Sequence, residues 1–454
     1  MMNLKLNLDR IATPTTWILR IFTGGVFLYS GFVKAIDAWG TFYKFGDYLS
    51  VMHLDVWPNL VIFAVFALCI FEFLTGMFLA TGSFRRAAPV MAAALMAVML
   101  PLTLWIAVKD PVADCGCFGD ALVITNWQTF WKNVVLTLAV GWLLIYNRSA
   151  RCLIRPSLQW LGLVFSALFV TLVGEIGYLY QPLIDYRPYP VGSTLVSAND
   201  DDDDADDDSG DIIFVYARDG EERRFTIDDV LPAEGSGWKF VRREEAGGSS
   251  DKVRSEHSTV EDEKSGDFTV WSEDGEEEMT GEALLSSGPQ MLLLMPDLGK
   301  VSVSTTWKIN ALESWAREHN VQLIAIVAAT PEQIEEWRDI SLPSYPIYTA
   351  EDTQIKMLAR GNPAVVYLSD GVVKWKSTLA AIPDEDLEQM SDRRPSNLRR
   401  SDTALLYNIC GVYVALILAL AFLSYTAVLG KKFFFSDRRK APKEDNQIEN
   451  DKNQ

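Results

Sequence analysis

Histidine and cysteine are scarce in this chain. His53, His257 and His319, with Cys69, Cys115, Cys117, Cys152 and Cys410, are all that 454 residues contain. That is a poor ligand set for zinc, which needs several nitrogen or sulfur donors gathered together, so no metal site is assigned. From residue 153 to residue 409 there is no cysteine, and nothing in that stretch can form or exchange a disulfide. Basic charge is short there too. Residues 181–402 hold 46 Asp and Glu against 22 Lys and Arg, a balance of −24, whereas the remainder holds 14 and 19, or +5. Such an acidic block is a poor partner for polyanions, which excludes a nucleic-acid role.

Elsewhere charge nearly vanishes. Ala87 to Val108 and Ala404 to Leu429 carry none. Trp17 to Val33 carries only Arg20, Leu60 to Thr81 only Glu72, Trp127 to Tyr146 only Lys132, and Leu158 to Tyr180 only Glu175. Each run approaches the ~20 residues that a helix needs to cross a bilayer, so six transmembrane helices are expected, with membrane lipid around them. Lys5 and Arg10, Arg85 and Arg86, Arg148, Arg151 and Arg155, and Lys431, Lys432, Arg438 and Arg439 flank these runs on one side. The excess of bases in short loops makes that the cytoplasmic side. The expectation is a multi-pass protein of the cytoplasmic (inner) membrane with a cytoplasmic C-terminus. The 38–58 loop, the loop carrying Cys115 and Cys117, and residues 181–402 would then face the periplasm. The first run has no separate cleavage pattern and reads as an uncleaved anchor.

Six segments follow. Residues 15–148 hold four membrane helices, 157–180 a fifth, 181–283 an acidic linker with a small β-rich region, 284–392 an α/β domain, 403–430 the last membrane helix and 431–454 a tail. Asp200 to Asp204 and Asp206 to Asp208 form a self-repelling linker; they lack the spacing of a calcium loop. Ile212 to Tyr216, Arg224 to Ile227 and Trp238 to Arg242 read as short strands, and 246–265 as a polar loop. Further on, Gln290 to Met295 and Gln322 to Val327 are buried-strand runs and Thr305 to His319 a helix. Thr330-Pro331-Glu332-Gln333 opens another helix with a capping box. Pro346 to Tyr348 reads as a strand and Asp352 to Ala359 as a helix. Ala364 to Leu368 and Val372 to Trp375 flank Asp370-Gly371, a hairpin signal.

Cys115 and Cys117 are the one pair expected in an oxidising compartment. With a single glycine between them the bridge would close a small, strained ring. As a staple it would contribute almost nothing, whereas strained, accessible bridges are the exchangeable kind. Asp114 and Asp120 would raise the thiol pKa unless something compensates them. A redox pair, a structural turn and a metal ligand pair all remain open. Cys69, Cys152 and Cys410 read as packing residues. Glu72, a charge inside hydrocarbon, should be paired or functional. It lies nine residues from the Thr81 end of its run, roughly 13 Å along a helix. Arg20 is expected as its partner in preference to Lys34, either as a structural ion pair or as part of a proton relay or quinone contact.

Two resemblances add to these readings. The order strand, helix, strand, helix, strand, hairpin over residues 285–390, with Asn362-Pro363 before a strand, resembles the thioredoxin fold. Pro363 stands where that family has its cis-proline, beside the groove that binds clients. Where the family carries Cys-x-x-Cys, this chain has Met295-Pro296-Asp297-Leu298-Gly299-Lys300. The fold class that follows is a multi-pass α-helical membrane protein with an α/β thioredoxin-like soluble domain. Ser30-Gly31-Phe32-Val33-Lys34-Ala35-Ile36-Asp37, Glu72 with Gly76, and Asp114-Cys115-Gly116-Cys117-Phe118-Gly119-Asp120 are similar to the DoxX and MauE families of four-helix membrane proteins, the Cys-Gly-Cys-Phe-Gly element pointing toward MauE. That resemblance implies disulfide formation or exchange for exported proteins, with Cys115 and Cys117 as the catalytic pair. The partner would be an exported client or a periplasmic thiol–disulfide protein. A quinone is a possible electron acceptor. The rival expectations are a non-catalytic scaffold or assembly factor that binds a client near Pro363, and an accessory subunit of a quinol-oxidising complex.

Overall fold

The computed structural model of the chain describes residues 2–54, 56–111, 116–195, 212–218, 221–225, 239–245, 268–285, 287–382 and 403–438. Cys115, the aspartate run at 200–208 and the loop at 246–265 lie outside them. Two compact units are present, residues 197–267 and the rest. In the smaller unit, β1 (Ile212–Arg218), β2 (Glu221–Phe225) and β3 (Lys239–Glu245) form an antiparallel sheet in the order β2-β1-β3. The second strand starts three residues earlier than the sequence suggests.

The larger unit begins with the helices α1 (Met2–Ile36), α2 (Ala38–Val51), α3 (Pro58–Thr81), α4 (Ala87–Lys109), α5 (Asn126–Tyr146) and α6 (Gln159–Leu179). Among the described residues six helices are long and apolar enough to cross a membrane: these without α2, plus Ala404–Thr426. Small residues let α1 and α3 approach closely, as they do wherever helices pack in lipid without a hydrophobic driving force. A Cβ on Gly31 would stand 2.6 Å from the Phe73 backbone nitrogen, and one on Gly24 would stand 2.8 Å from that of Ala80. These contacts fix the antiparallel register of the pair.

Residues 38–51, expected as loop, form the 14-residue helix α2. Asp37 caps it, accepting the Gly40 N–H at 2.8 Å. Trp39 stacks on Tyr178 of α6, with centroids 4.9 Å apart and planes at 13°. The segment is too short to span and too aromatic on one face to stay in water, so it packs along the bundle.

After α6, residues 180–195 lead to α7 (Thr280–Ala283), β4 (Pro289–Met295), α8 (Thr306–Glu318), β5 (Gln322–Val327), α9 (Pro331–Ser341), β6 (Ile347–Thr349), α10 (Asp352–Leu358), β7 (Ala364–Ser369) and β8 (Val372–Thr378). Strand order is β6-β5-β4-β7-β8, with β4, β5 and β6 parallel and β7 and β8 antiparallel to their neighbours. Met291, Leu293 and Met295 face α8 and α9, while Leu292 and Leu294 face α7 and α10. Burial on both faces explains the unbroken apolar run of β4. Asp370 and Gly371 have φ of +54° and +70° and close the β7–β8 hairpin. The capping box at Thr330 and Gln333 is present, and the Asn362–Pro363 peptide is cis. Last comes α11 (Thr403–Arg438), whose Tyr413 stacks on Phe169 of α6 at 4.2 Å.

Candidate functional site

The register of α1 against α3 decides which charges meet. Because Gly31 lies against Phe73 and Gly24 against Ala80, Ser30 and Lys34 stand on either side of Glu72. Arg20 is left beyond Thr81, the last residue of α3. Lys34 Nζ donates to both Glu72 oxygens at 2.9 and 2.7 Å, and both side chains are buried. The expected Arg20–Glu72 pair is therefore wrong. The expectation assumed that the two apolar runs end at the same level, whereas α1 is shifted along α3 toward the basic end. Arg20 instead holds neutral oxygens at that end. It reaches Asn147 Oδ1 at 2.6 Å, the Arg151 carbonyl at 2.9 Å and the Asn147 carbonyl.

The pair joins a short network that ends at the cysteine loop. Lys34 Nζ also donates to Ser30 Oγ at 2.8 Å. Ser30 in turn offers its single proton to Glu72 Oε2 at 2.9 Å or to the Cys117 carbonyl at 2.8 Å. A buried ion pair is costly unless its remaining hydrogen bonds are filled, and the hydroxyl does this. The Lys34 ammonium lies within electrostatic reach of both Cys117 and Cys69. Cys69 packs in the apolar cluster of Val65, Phe73 and Ala35.

The connection between α4 and α5 is tied down at several points. Asn126 Nδ2 donates to Asp110 Oδ1 at 2.8 Å across its base. Phe118, buried, sits 5.5 Å from the Tyr29 ring and 4.1 Å beneath Lys132 Nζ. Gly116 and Gly119 have φ of +63° and +55°, which favours glycine. The Gly119 N–H reaches back to the Gly116 carbonyl at 3.1 Å. Cys117 is half-buried on this turn.

The last anchor comes from the sheet region. Arg360, 5% exposed and three residues before Pro363, donates to both Asp37 oxygens, Nε at 3.0 and 3.2 Å and Nη2 at 2.7 Å, and also to Asp120. Burial alone would lower its pKa, but the Asp37 and Asp120 carboxylates more than offset this and raise it. Gln181 holds its backbone, accepting the N–H at 3.0 Å and donating to the carbonyl at 2.7 Å. Tyr43 of α2 shares its hydroxyl with the Gly361 N–H (3.3 Å) and carbonyl (3.4 Å), and burial pushes its pKa up to about 12. The chain just before Pro363 thus rests on α2 of the same molecule. Beside it a cavity of about 410 Å³ is lined by Trp39, Phe42, Tyr43, Asp297, Lys300 and Asn362, among others.

The structure therefore brings Lys34, Glu72 and Cys117 together, ties the segment before Pro363 to Asp37 and Asp120 through Arg360, and places Arg20 at the opposite end. Sequence reasoning quoted Ser30 and Asp37 only as ends of the family-like segment, with no role for either, and passed over Tyr43 and Arg360. The four-residue spacing of Ser30 and Lys34 was a usable signal for the first; nothing local marks Arg360.

Residues 12–146 match the family described as Methylamine utilisation protein MauE, and residues 210–246 match a domain of unknown function, DUF8463. No curated protein and no solved structure matches the chain.

Proposed function

We propose that this protein, whose residues 12–146 form a MauE-family membrane domain, exchanges disulfides with exported proteins through Cys115 and Cys117 on the periplasmic face. The observation that carries this reading is the chain of bonds from the buried Lys34–Glu72 pair through Ser30 to the Cys117 carbonyl. A membrane-embedded cation and acid are thereby set directly behind the cysteine turn. A thiolate of a reduced client attacks one sulfur of the Cys115–Cys117 bridge, forming a mixed disulfide and releasing the other cysteine as a thiolate. The second client thiolate then attacks the client sulfur of that mixed disulfide, closing the client bridge and freeing the remaining cysteine. The client loses two electrons and two protons, and the cysteine pair gains them. A quinone, reduced to quinol, is the class of acceptor that restores the bridge. In this scheme the Lys34–Glu72 pair acts through Ser30, whose hydroxyl holds the Cys117 carbonyl in place behind the reacting sulfurs.

The 268–382 region is read as a thioredoxin-like module without redox chemistry of its own; the strand order β6-β5-β4-β7-β8 and the absence of cysteine from 153 to 409 support that. The same absence favours a second reading, a scaffold that binds its client without thiol chemistry. A Cys117→Ala variant separates the two: it has no bridge for a reduced client to attack, but its lone Cys115 thiolate can open the disulfide of an oxidised client, the reverse of the second step, and no Cys117 thiolate is present to displace that client. Under the exchange reading it accumulates a covalent, reductant-sensitive adduct with an exported protein. If no adduct forms and the Cys115/Cys117 double variant behaves as the parent in vivo, only the scaffold survives.

A further inference from the structure

Asp120 lies three residues beyond Cys117, across the turn that the Gly116–Gly119 hydrogen bond closes. An unpaired carboxylate there would raise the pKa of the neighbouring thiols and thin the thiolate population. Other described charges stand around the turn. Lys34 of α1 and Glu72 of α3 neutralise one another. Lys132 of α5 sits over the Phe118 ring, and the Lys44 side chain of α2 lies against Gly116. Asp37 at the start of α2 and Asp120 are acids beside the turn, and one guanidinium serves both. That guanidinium is Arg360, which belongs to the sheet region rather than to the membrane bundle.

We propose that Arg360 is a positioning residue for the cysteine turn: by neutralising Asp120 and bridging it to Asp37, it holds the turn against the bundle and keeps its thiols reactive. This rests on the reading of Cys115 and Cys117 as an exchanging pair, and it gives the cysteine-free sheet region a task in that chemistry. The module supplies no sulfur. It supplies a buried cation from the segment leading into Pro363. Gln181 pins its backbone, Tyr43 pins that of the next residue, Gly361, and its Nη1 donates to the Lys356 carbonyl at 2.8 Å. A side chain so fully bonded cannot swing away, so the position of Asp120 follows the position of the sheet region.

The test is alkylation of the reduced, full-length protein in detergent with iodoacetamide. The rates at Cys115 and Cys117 are read by peptide mass spectrometry from pH 6 to pH 10. Arg360→Ala should slow alkylation at pH 7 by about 3- to 10-fold and move the pH midpoint up by about half to one unit, the size expected for one neighbouring charge. Adding Asp120→Asn to Arg360→Ala should restore the parental rate to within about twofold, because the charge being compensated is gone. Arg360→Lys should fall between Arg360→Ala and the parent. Arg360→Ala leaves Asp37 buried without its partner, so the series is repeated with Asp37→Asn, which retains a side chain able to cap α2. An unchanged pH midpoint in Arg360→Ala, or no rescue by Asp120→Asn in either background, overturns the proposal. The small reagent needs no client, so the outcome is independent of whether the Cys117→Ala trap captures one.

Discussion

Arg20 and Lys34 are both buried cations on α1, within one span, yet they are satisfied in opposite ways. Arg20 meets carbonyl and amide oxygens at the end of α5 and the segment after it, all neutral. Lys34 meets a carboxylate in mid-helix and a serine hydroxyl. The difference follows from what each level of the bundle offers. Helix ends expose carbonyls that have no partner within their own helix, and a planar guanidinium can collect several of them at once. Lys34 is in the last turn of α1, but the stretch of α3 that it faces is helix interior, where every backbone group is already used. A cation there needs a side-chain acid, and the acid needs the cation equally. The basic end is thus a cap, whereas the Lys34 level is a mutual neutralisation that stands or falls as a pair.

That contrast can be broken most forcefully at Glu72. Replacing Glu72 by Leu leaves the Lys34 ammonium buried alone and should cost about 3–5 kcal/mol. The Lys34→Met/Glu72→Leu double variant should recover most of that. Thermal unfolding of the two variants in matched detergent measures the gap, and a double variant no more stable than the single one would mean that the two residues are not a closed pair. At the other end, Arg20→Met should cost about 1–3 kcal/mol, since the carbonyls it abandons lie near a helix terminus where water can replace it. A loss at Arg20 as large as that at Glu72 would erase the distinction.

A third buried cation sharpens the comparison outside the membrane. Lys376 on β8 is 4% exposed and bonded to Asp185 Oδ2 at 3.1 Å and to the Tyr189 carbonyl. Burial, with Arg187 close by, lowers its pKa to about 7 in spite of Asp185. The unfolded chain then binds more protons than the folded one between pH 7 and the ordinary lysine value, so stability rises with pH across that window. Between pH 7 and pH 8 the gain should be about 1 kcal/mol. The slope should flatten in Lys376→Met, as read by unfolding of the full chain over that range.

The parts of the molecule that were legible in the sequence are those that depend on local chemistry. Six apolar runs appear as six long helices because backbone polar groups in hydrocarbon must be satisfied within the segment itself. The strands β4, β5, β7 and β8 lie within a few residues of their expected places, since an apolar run between turn residues has few other options. The Asp370-Gly371 hairpin and the Thr330 capping box follow from side-chain and φ preferences that act over four residues. By contrast α2 was hidden: its apolar residues find their partners on α3 and α6, and a search for runs of spanning length passes over it.

The candidate site divides along the same line. Cys117, Glu72 and Lys34 are conspicuous as residue types, whether a cysteine pair at the end of a span or charges within one. Their pairing is not conspicuous, because it depends on how far α1 is displaced along α3. That displacement is set by where Gly24 and Gly31 permit backbone approach.

The sequence alone determined that the chain crosses a membrane, that its only closely spaced cysteines sit just beyond a span, and that its sheet region has no thiols. Tertiary structure decided that Lys34 rather than Arg20 faces Glu72, and that Arg360, 240 positions from Asp120, reaches it. The physical reason is range. Helix formation, turn geometry and membrane partition are governed by neighbours a few residues apart. The partner of a buried charge is whichever group close packing carries to within about 3 Å, and sequence distance does not enter.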